Sequence, residues 1–445
     1  MPSATDALPT AAVIFDRGDH RLTPLADLVP LFQLQIGRHS LANAIGRGVR
    51  DFCPTLSCVC WSLLPSFASA VAEAAEGGAA SPDLPPVFAE SADTDPAASV
   101  ALFDSRWVDL SSARFAAALE SRGPVVIRTT EGVPVAATLP ATHAAGFLRD
   151  GAVPQDADTV TLAETDGRRL TWPWDLLEVQ VAVLEAEAEL DRRTHPGGSE
   201  AEQAAMRRRL GEQGVHVIGE HALFCDAADT VIDPGVVLDL RAGAIVLSGA
   251  RVGAQSVIEG PVALGEGVVV SPRTHLRGPV TIGPHCKVGG EIKGVIMQRC
   301  SNKAHDGYLG DALVGRWCNL GAGTVASNLK NTYGDVRVTV PPASGDGDPE
   351  TVDTGRRFQG PILGDYVRTA IGTRLLTGSL IGTGTCLVTE GYAPKYAGPM
   401  EFHAPGGVSA MDPEAFLRTA RRMRARRGAG LPDAVAARLR ALMPS

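Results

Sequence analysis

Apolar residues recur at every sixth position in the second half of the chain. Neither an α-helix, with about 3.6 residues per turn, nor an amphipathic strand, with a period of about two, produces that spacing. A three-sided parallel β-solenoid does, because each side uses about six residues and points one of them into the core. The sequence therefore predicts such a solenoid, with core positions at Val246, Val252, Ile258, Leu264, Val270, Leu276, Ile282 and Val288.

Glycine supports this interpretation, since it directly follows four of the eight core residues and leaves room for a corner. The intervening PPASGDGDPETVDTGRR, residues 341–357, is rich in Gly, Pro and acids and is predicted to project as a loop. We expect the solenoid domain over residues 211–400. The repeat continues around that loop at Val314, Leu320, Leu363, Leu375, Ile381 and Leu387, with Thr369 in one slot.

The first 210 residues alternate short apolar runs with helical patterns, which predicts an α/β domain over residues 1–210. The runs AAVIF and TLSCVCWSLLP predict buried strands, and VVIRTTEGVPVAATL predicts a strand pair joined at Glu131-Gly132. Helical spacing is expected from Arg38 to Val49 and from Trp172 to Arg193. Residues 72–98 indicate a loop or a poorly ordered insertion, and the charged THPGGSEAEQAAMRRRLGEQG indicates an interdomain connection.

The tail, residues 401–445, contains one helical pattern. Phe416, Ala420 and Met423 fall on one face, and RTARRMRARR supplies the opposite face. The pattern predicts a solvated basic helix that caps the solenoid. The alternative is a contact between this helix and an anion or a coenzyme phosphate.

Composition narrows the class of protein. A net charge of -9 argues against a general nucleic-acid binder, and no basic stripe interrupts the body of the chain. The sequence shows no secretory signal pattern and no apolar window of membrane-spanning length, so we expect a cytoplasmic protein without membrane contact. The eight cysteines lack the spacing of a zinc site and are expected to fill core positions.

Polar and catalytic residue types cluster from Cys300 to Val340, within the apolar repeat. The motifs GGE, SNKAHDG, WCNLGA and SNLKN in this region resemble the GlmU-like bifunctional bacterial family of sugar nucleotidyltransferase/acetyltransferases that makes UDP-N-acetylglucosamine. The stretch is more similar still to the divergent branch of that family known as putative sugar nucleotidyltransferases. The resemblance is strong over roughly residues 210–400 and faint over residues 1–60.

The resemblance implies a left-handed parallel β-helix that forms a homotrimer, with active sites between neighbouring subunits. It implies acetyl-CoA as the acyl donor, an amino-sugar 1-phosphate of the glucosamine-1-phosphate type as the acceptor, and His305 as the general base. It places the backbone that meets the acetyl group at Ala322, within Gly321 to Gly323. The residues it assigns to the sugar phosphate are Lys293, Tyr308, Asn319 and Asn328, with Lys303, Lys330 and Arg277 as further candidates.

Elementary chemistry agrees with these roles. Acyl transfer to an amine needs a base, and histidine titrates near neutral pH. The tetrahedral oxyanion needs a donor, which a backbone N–H between Gly321 and Gly323 can supply. An anionic acceptor needs cations and amide partners. The structural alternatives are a surface histidine at His305, asparagine ladders at Asn319 and Asn328, a packed Tyr308, and solvated lysines.

The opening of the chain departs from the family pattern. Phe15, Asp16 and Pro24-Leu25 match the divergent branch, whereas Val29-Pro30 replaces its Arg-Pro pair and so removes a cation for a triphosphate. UTP and Mg²⁺ are therefore expected only if the N-terminal domain is active. Two functions remain open: an acyltransferase, possibly bifunctional, and a non-catalytic or regulatory trimer that binds a sugar nucleotide.

Overall fold

The computed structural model describes residues 9, 11–15, 21–28, 33–52, 58–62, 99–109, 111, 113–195, 197–225, 229–342 and 347–443. The chain forms two compact units. The first comprises residues 1–20, 29–34 and 39–172, and the second comprises residues 21–28, 35–38 and 173–445. The predicted boundary at residue 210 therefore lies too late, because the segment from residue 173 onward packs with the second unit.

The first unit is built on a mixed six-stranded sheet. Three neighbouring strands are parallel, the fourth runs antiparallel to both of its neighbours, and the last two are parallel to each other. A short antiparallel ribbon, Trp107–Asp109 with Gly167–Arg169, is separate from this sheet. The strands in spatial order are Cys58–Ser62, Ala11–Phe15, Ser99–Asp104, Pro134–Pro140, Val125–Arg128 and Asp158–Thr161.

Helices α1 (Leu41–Phe52), α2 (Ala113–Leu119) and α3 (Ala141–Asp150) complete the first unit. Phe115 of α2 belongs to one buried cluster of the sheet, and Phe147 of α3 belongs to another, so apolar side chains cover both sheet faces. The predicted α/β class, the strands within AAVIF and TLSCVCWSLLP, and the strand pair around Glu131-Gly132 are confirmed. The segment 72–98 lies outside the described residues.

The second unit is a three-sided parallel β-helix of about ten turns. Its sides are named here in chain order. Face one comprises His216–Ile218, Val237–Asp239, Val257–Glu259, the first parts of His275–Ile282 and Glu291–Met297, Tyr308–Gly310, Val325–Ala326 and Arg374–Leu375.

Face two follows face one in each coil, and face three follows face two. Face two comprises Leu223–Cys225, Ile245–Leu247, Val262–Leu264, the second parts of His275–Ile282 and Glu291–Met297, Leu313–Val314, Ile362–Leu363, Leu380–Ile381 and Tyr396–Ala397. Face three comprises Val231–Ile232, Arg251–Val252, Val269–Val270, Lys287–Val288, Asn302–Lys303, Asn319–Leu320, Arg368–Thr369, Cys386–Leu387 and Glu401–Ala404, with Gly407–Ala410 added antiparallel.

The six-residue repeat places its apolar residues inside the β-helix with one exception. Val246 packs outside the main core with Ala188 and Phe224, whereas Leu247 pairs with Leu264 and enters the core. The repeat therefore shifts by one residue at its first step. Spacing alone could not reveal the shift, because three consecutive apolar residues, Ile245–Leu247, offer more than one phase.

Two helices precede the β-helix and belong to its unit. Helix α4 (Asp175–Thr194) lies against it, since Gln180 Nε2 donates to Thr281 Oγ1 and to the Val295 carbonyl, both at 3.1 Å. Helix α5 (Glu200–Glu212) contributes Leu210 to the core cluster. The charged stretch predicted as a connection is thus mostly helical, and the Ser199-x-x-Glu202 capping box was the available signal.

The predicted loop at residues 341–357 is partly a strand. Arg337–Val340 pairs antiparallel with Glu350–Asp353, so the insertion forms a β-hairpin whose tip, residues 343–346, lies outside the description. Alternating Thr and Val residues on both strands, VTV and TV, favour this pairing over irregular coil.

The tail contains two helices, α6 (Pro413–Ala425) and α7 (Asp433–Ala441), of which only the first was predicted. Phe416 packs on Tyr366 with ring centroids 6.1 Å apart, and the Arg424 guanidinium lies 4.8 Å from the centroid of the Trp317 ring. Because these partners occupy successive coils, α6 runs along the side of the β-helix rather than capping it, and its basic face is partly engaged.

None of the described helices combines the length and apolar character needed to cross a membrane. Cys225, Cys286, Cys300 and Cys318 are buried, as the core-filling interpretation predicted, and Cys386 is partly exposed.

Candidate functional site

The turn Ala304–Gly307 carries His305 to the outside of the β-helix. It joins Asn302–Lys303 on face three to Tyr308–Gly310 on face one, and is called the His305 corner below. The His305 side chain is exposed and has no hydrogen-bond partner among the described residues. Gly307 is required there, since its φ is +126° and a Cβ would lie 2.2 Å from the Thr324 carbonyl oxygen.

The corner one coil earlier is shortened. Val288 and Ile292 both point into the core, and only three residues separate them, whereas five residues separate Lys303 from Leu309 in the next coil. The flanking corners can therefore approach each other across the Gly289-Gly290 step. Ser271 Oγ accordingly donates to the Ala304 carbonyl oxygen at 3.0 Å, although one coil lies between them.

The corner one coil later contains Gly321, Ala322 and Gly323. The Gly321 amide donates to the carbonyl oxygen and to Oγ1 of Thr369. The amides of Ala322 and Gly323 have no acceptor among the described residues, and both residues are exposed. An oxyanion donor in this turn is thus expected at Ala322 or Gly323 rather than at Gly321.

Face one brings together four of the residues assigned to the acceptor. Arg277 pairs in register with Lys293, and Tyr308 lies on the next strand. Asn328 joins them, since its Nδ2 donates to Tyr308 Oη at 2.9 Å and to Asp311 Oδ2 at 2.6 Å. Asn328 therefore does not form an asparagine ladder.

Charged neighbours set the electrostatics of this face. Arg277 donates to Glu291 at 2.8 Å, which leaves the other side of its guanidinium for a ligand. The Lys293 ammonium lies 5.3 Å from the centroid of the Phe358 ring. Burial, followed by the negative charges of Asp311 and Glu291, raises the pKa of the Tyr308 phenol, so the hydroxyl remains protonated.

Asn319 lies on face three, apart from the other acceptor candidates. Asn302 Nδ2 donates to Asn319 Oδ1 at 3.4 Å, so these two amides stack as the ladder alternative anticipated. Arg427, just beyond α6, donates to Asn302 Oδ1 at 2.8 Å. The basic tail thus reaches the strand that leads into the His305 corner.

Lys330 and Lys303 are both bound to backbone. Lys330 Nζ donates to the Asp335 carbonyl at 2.8 Å within the loop after Asn328. Lys303 points into the β-helix in register with Val288 and is 1% exposed. The Lys303 geometry does not suit the predicted phosphate contact, because a ligand outside the β-helix cannot reach the ammonium.

The first unit offers a carboxylate at the carboxyl end of its parallel strands, where open α/β sheets bind ligands. Asp104 is fully buried and forms a two-pronged ion pair with Arg106, with Nε–Oδ1 at 3.1 Å and Nη2–Oδ2 at 2.8 Å. Within the described ranges no group of three His, Cys, Asp or Glu side chains could hold a metal ion. Since its oxygens are committed to a guanidinium, Asp104 does not fit a Mg²⁺ site. Asp16 and Val29-Pro30 lie outside the description.

Several residues around the site were not singled out from the sequence. Asn302, Asp311 and Ser271 each contact a candidate residue or the His305 corner, and Asp104-x-Arg106 forms the ion pair of the first unit. The sequence could have indicated the first two, since Asn302 lies in SNKAHDG with His305, and Asp311 lies three residues after Tyr308. No sequence signal indicated Ser271.

Comparison with known proteins gives relatives for part of the chain, although no family model matches it. The bifunctional protein GlmU of Nostoc sp. is 32% identical over 149 residues, which cover 28% of this chain and 33% of the relative. The protein of the same name from Methanococcus aeolicus is 32% identical over 165 residues, covering 32% and 38%. The chain thus spans about a third of the length of these curated relatives.

Solved structures match at low scores. UDP-N-acetylglucosamine acyltransferase of Francisella novicida gives a TM-score of 0.21 at 11% identity, over 46% of this chain and 73% of that one. An N-acyltransferase of Bacillus cereus, in complex with dTDP and 3-hydroxybutyryl-CoA, gives 0.18 at 10% identity, over 50% and 96%. These TM-scores are too low to assign a fold, so the fold is assigned from the strand pairing.

The three parallel faces, the hexad core and the histidine corner define a hexad-repeat β-helix protein. Within that class the chain is similar to the bifunctional GlmU proteins over about a third of their length.

Proposed function

We propose that the protein is an acetyl-CoA-dependent N-acetyltransferase that acts on an amino-sugar 1-phosphate of the glucosamine-1-phosphate type. One observation carries the proposal. His305 is exposed on a corner that is flanked by the cations, phenol and amide of face one. The next corner carries the amides of Ala322 and Gly323, for which the described residues offer no acceptor.

The residues support a direct transfer. The acceptor amine attacks the thioester carbonyl carbon, and His305 takes the proton that the nitrogen loses as the C–N bond forms. The Ala322 or Gly323 amide donates to the oxyanion of the tetrahedral intermediate. When the C–S bond breaks, the imidazolium returns the proton to the departing thiolate, so the products are CoA and the N-acetyl sugar.

Face one accounts for the acceptor. Lys293 and the outer side of Arg277 supply positive charge for the 1-phosphate, while Tyr308 and Asn328 supply a phenol and an amide for ring hydroxyls. Arg427 of the basic tail donates to Asn302, on the strand that leads into the His305 corner. This position supports a contact between the tail and the coenzyme phosphates.

Nucleotidyl transfer with UTP and Mg²⁺ is less well supported. Asp104 is paired with Arg106, and Pro24 lies in the second unit, where its carbonyl accepts from Thr383 Oγ1 at 3.3 Å. The ion pair between Asp104 and Arg106 favours a second candidate function for the first unit, which is sugar-nucleotide binding without catalysis.

A homotrimer would complete the site. The His305 corner faces solvent, and in the same column of corners Ile371 is 80% exposed, an unusual position for a large apolar residue. A neighbouring subunit packed on this column would cover Ile371 and add a second wall beside the His305 corner. Light scattering should give three times the chain mass; a monomer would remove the intersubunit site.

The proposed activity is tested by CoA release. Purified protein with acetyl-CoA and a panel of amino sugars, with and without a 1-phosphate, should release free CoA fastest with an amino-sugar 1-phosphate. If no acceptor gives CoA release while a calorimetric titration still shows binding of sugar nucleotides, the non-catalytic alternative is favoured.

Lys293→Ala tests the acceptor phosphate contact. We expect KM for the sugar 1-phosphate to rise by about tenfold or more, because a charge-assisted hydrogen bond is lost. KM for the unphosphorylated sugar should stay unchanged. Lys395→Ala, at an exposed lysine in the last coils, is the matched control. Equal increases in KM for both sugars would contradict the phosphate role.

A further inference from the structure

Lys303 takes an inward position of the His305 coil, where an apolar residue would ordinarily lie. Its register partner one coil earlier is Val288, and the next inward residue on face three is Leu320. A buried ammonium costs free energy unless several acceptors satisfy it, so its presence in an apolar column calls for a structural reason.

The acceptors of Lys303 are all carbonyl oxygens at the site. Its Nζ donates to His305 O at 2.5 Å and to Asp306 O at 3.2 Å, both within the His305 corner, and to Gly289 O of the shortened corner at 3.4 Å. Three ammonium protons thus meet three carbonyls, and two successive corners are tied from the inside.

The same corner is held from a second direction. Ser271 Oγ donates to the Ala304 carbonyl from two coils earlier, and Lys303 holds the carbonyls of His305 and Asp306 from directly before the corner. The His305 imidazole itself has no hydrogen-bond partner among the described residues. Its position therefore depends on the backbone that carries it.

We propose that Lys303 is a positioning residue, which fixes the backbone of the His305 corner from inside the β-helix so that the exposed imidazole is held toward the acceptor. This inference rests on the proposed function for its catalytic consequence. Burial lowers the pKa of the Lys303 ammonium to about 8. This lowered pKa is consistent with carbonyl contacts that are retained although burying the ammonium costs folding free energy.

Lys303→Met tests the proposal, since methionine is unbranched and apolar and suits the column but donates no hydrogen bond. We expect kcat to fall by about 10- to 100-fold with both KM values within about twofold, because substrate contacts stay while the base is misplaced. The Gly289 and Glu291 amides donate to the Lys303 and Gly307 carbonyls at the two ends of the corner, so their hydrogen exchange should accelerate by about tenfold while the other strands stay protected. Leu387→Met, in the same column and far from the corner, is the control.

Ser271→Ala gives an independent test if Lys303→Met does not fold. It releases only the Ala304 carbonyl, so it should show the same two changes at smaller size. Exchange at Gly289 and Glu291 that stays at the wild-type rate in either folded variant would overturn the positioning role. If the wild-type protein shows no turnover, the proposed function is contradicted instead. The exchange measurement would still decide the role of Lys303.

Discussion

His305→Ala should lower kcat for CoA release by at least about 100-fold, because a positioned general base contributes roughly 10²- to 10⁴-fold. The side chain is exposed and has no hydrogen-bond partner among the described residues, so its removal should leave the free energy of unfolding within about 0.5 kcal/mol. Steady-state turnover and urea unfolding of the same preparation measure the two quantities.

The matched control is His216→Ala. His216 is exposed, like His305, but it lies on the first strand of face one, far along the axis from the His305 corner. It should keep wild-type kcat. If both variants turn over alike, His305 is not the base, and the surface-histidine alternative holds.

Leu276→Ala should destabilise the β-helix by about 2–5 kcal/mol, the range for removing a buried leucine and leaving a cavity. Leu276 is fully buried and stacks in register between Ile258 and Ile292, so the cavity would open between three coils. Chemical denaturation followed by circular dichroism measures the loss. In a solenoid each coil contacts only its neighbours, so the defect should weaken the segment around it first.

The neighbouring residue supplies the control for this variant. His275 points outward, is partly exposed and pairs with Glu259 at 2.7 Å, so His275→Ala should cost less than about 1 kcal/mol. Similar losses for the two variants would mean that the inward and outward positions of this strand are assigned wrongly.

The six-residue period was sufficient to predict the β-helix, because in a solenoid each coil repeats the same local environment. It failed at Val246, where three adjacent apolar residues left the phase undefined, and at Lys303, where a charged residue takes an inward position. The charged stretch after α4 was misassigned for a similar reason: α5 buries mainly Leu210, too little for a clear amphipathic pattern.

The candidate site divides in the same way. Motifs in the sequence indicated His305, Tyr308 and Asn328, and the structure brings the last two into contact. The roles of these residues stay predictions. Asn319 was grouped with them from its motif, although the coil geometry places it on a different face, next to Asn302.

The sequence by itself determined the repeat, the α/β class of the first unit and the segment that carries the candidate chemistry, since these depend on periodicity and local residue type. Only the tertiary structure decided that Gly289-Gly290 shortens one corner, that Ser271 and Lys303 reach the next corner, and that Asp104 is paired with Arg106. The Ser271–Ala304 and Lys303–Gly289 contacts join separate coils, and such contacts are fixed by stacking rather than by local sequence pattern.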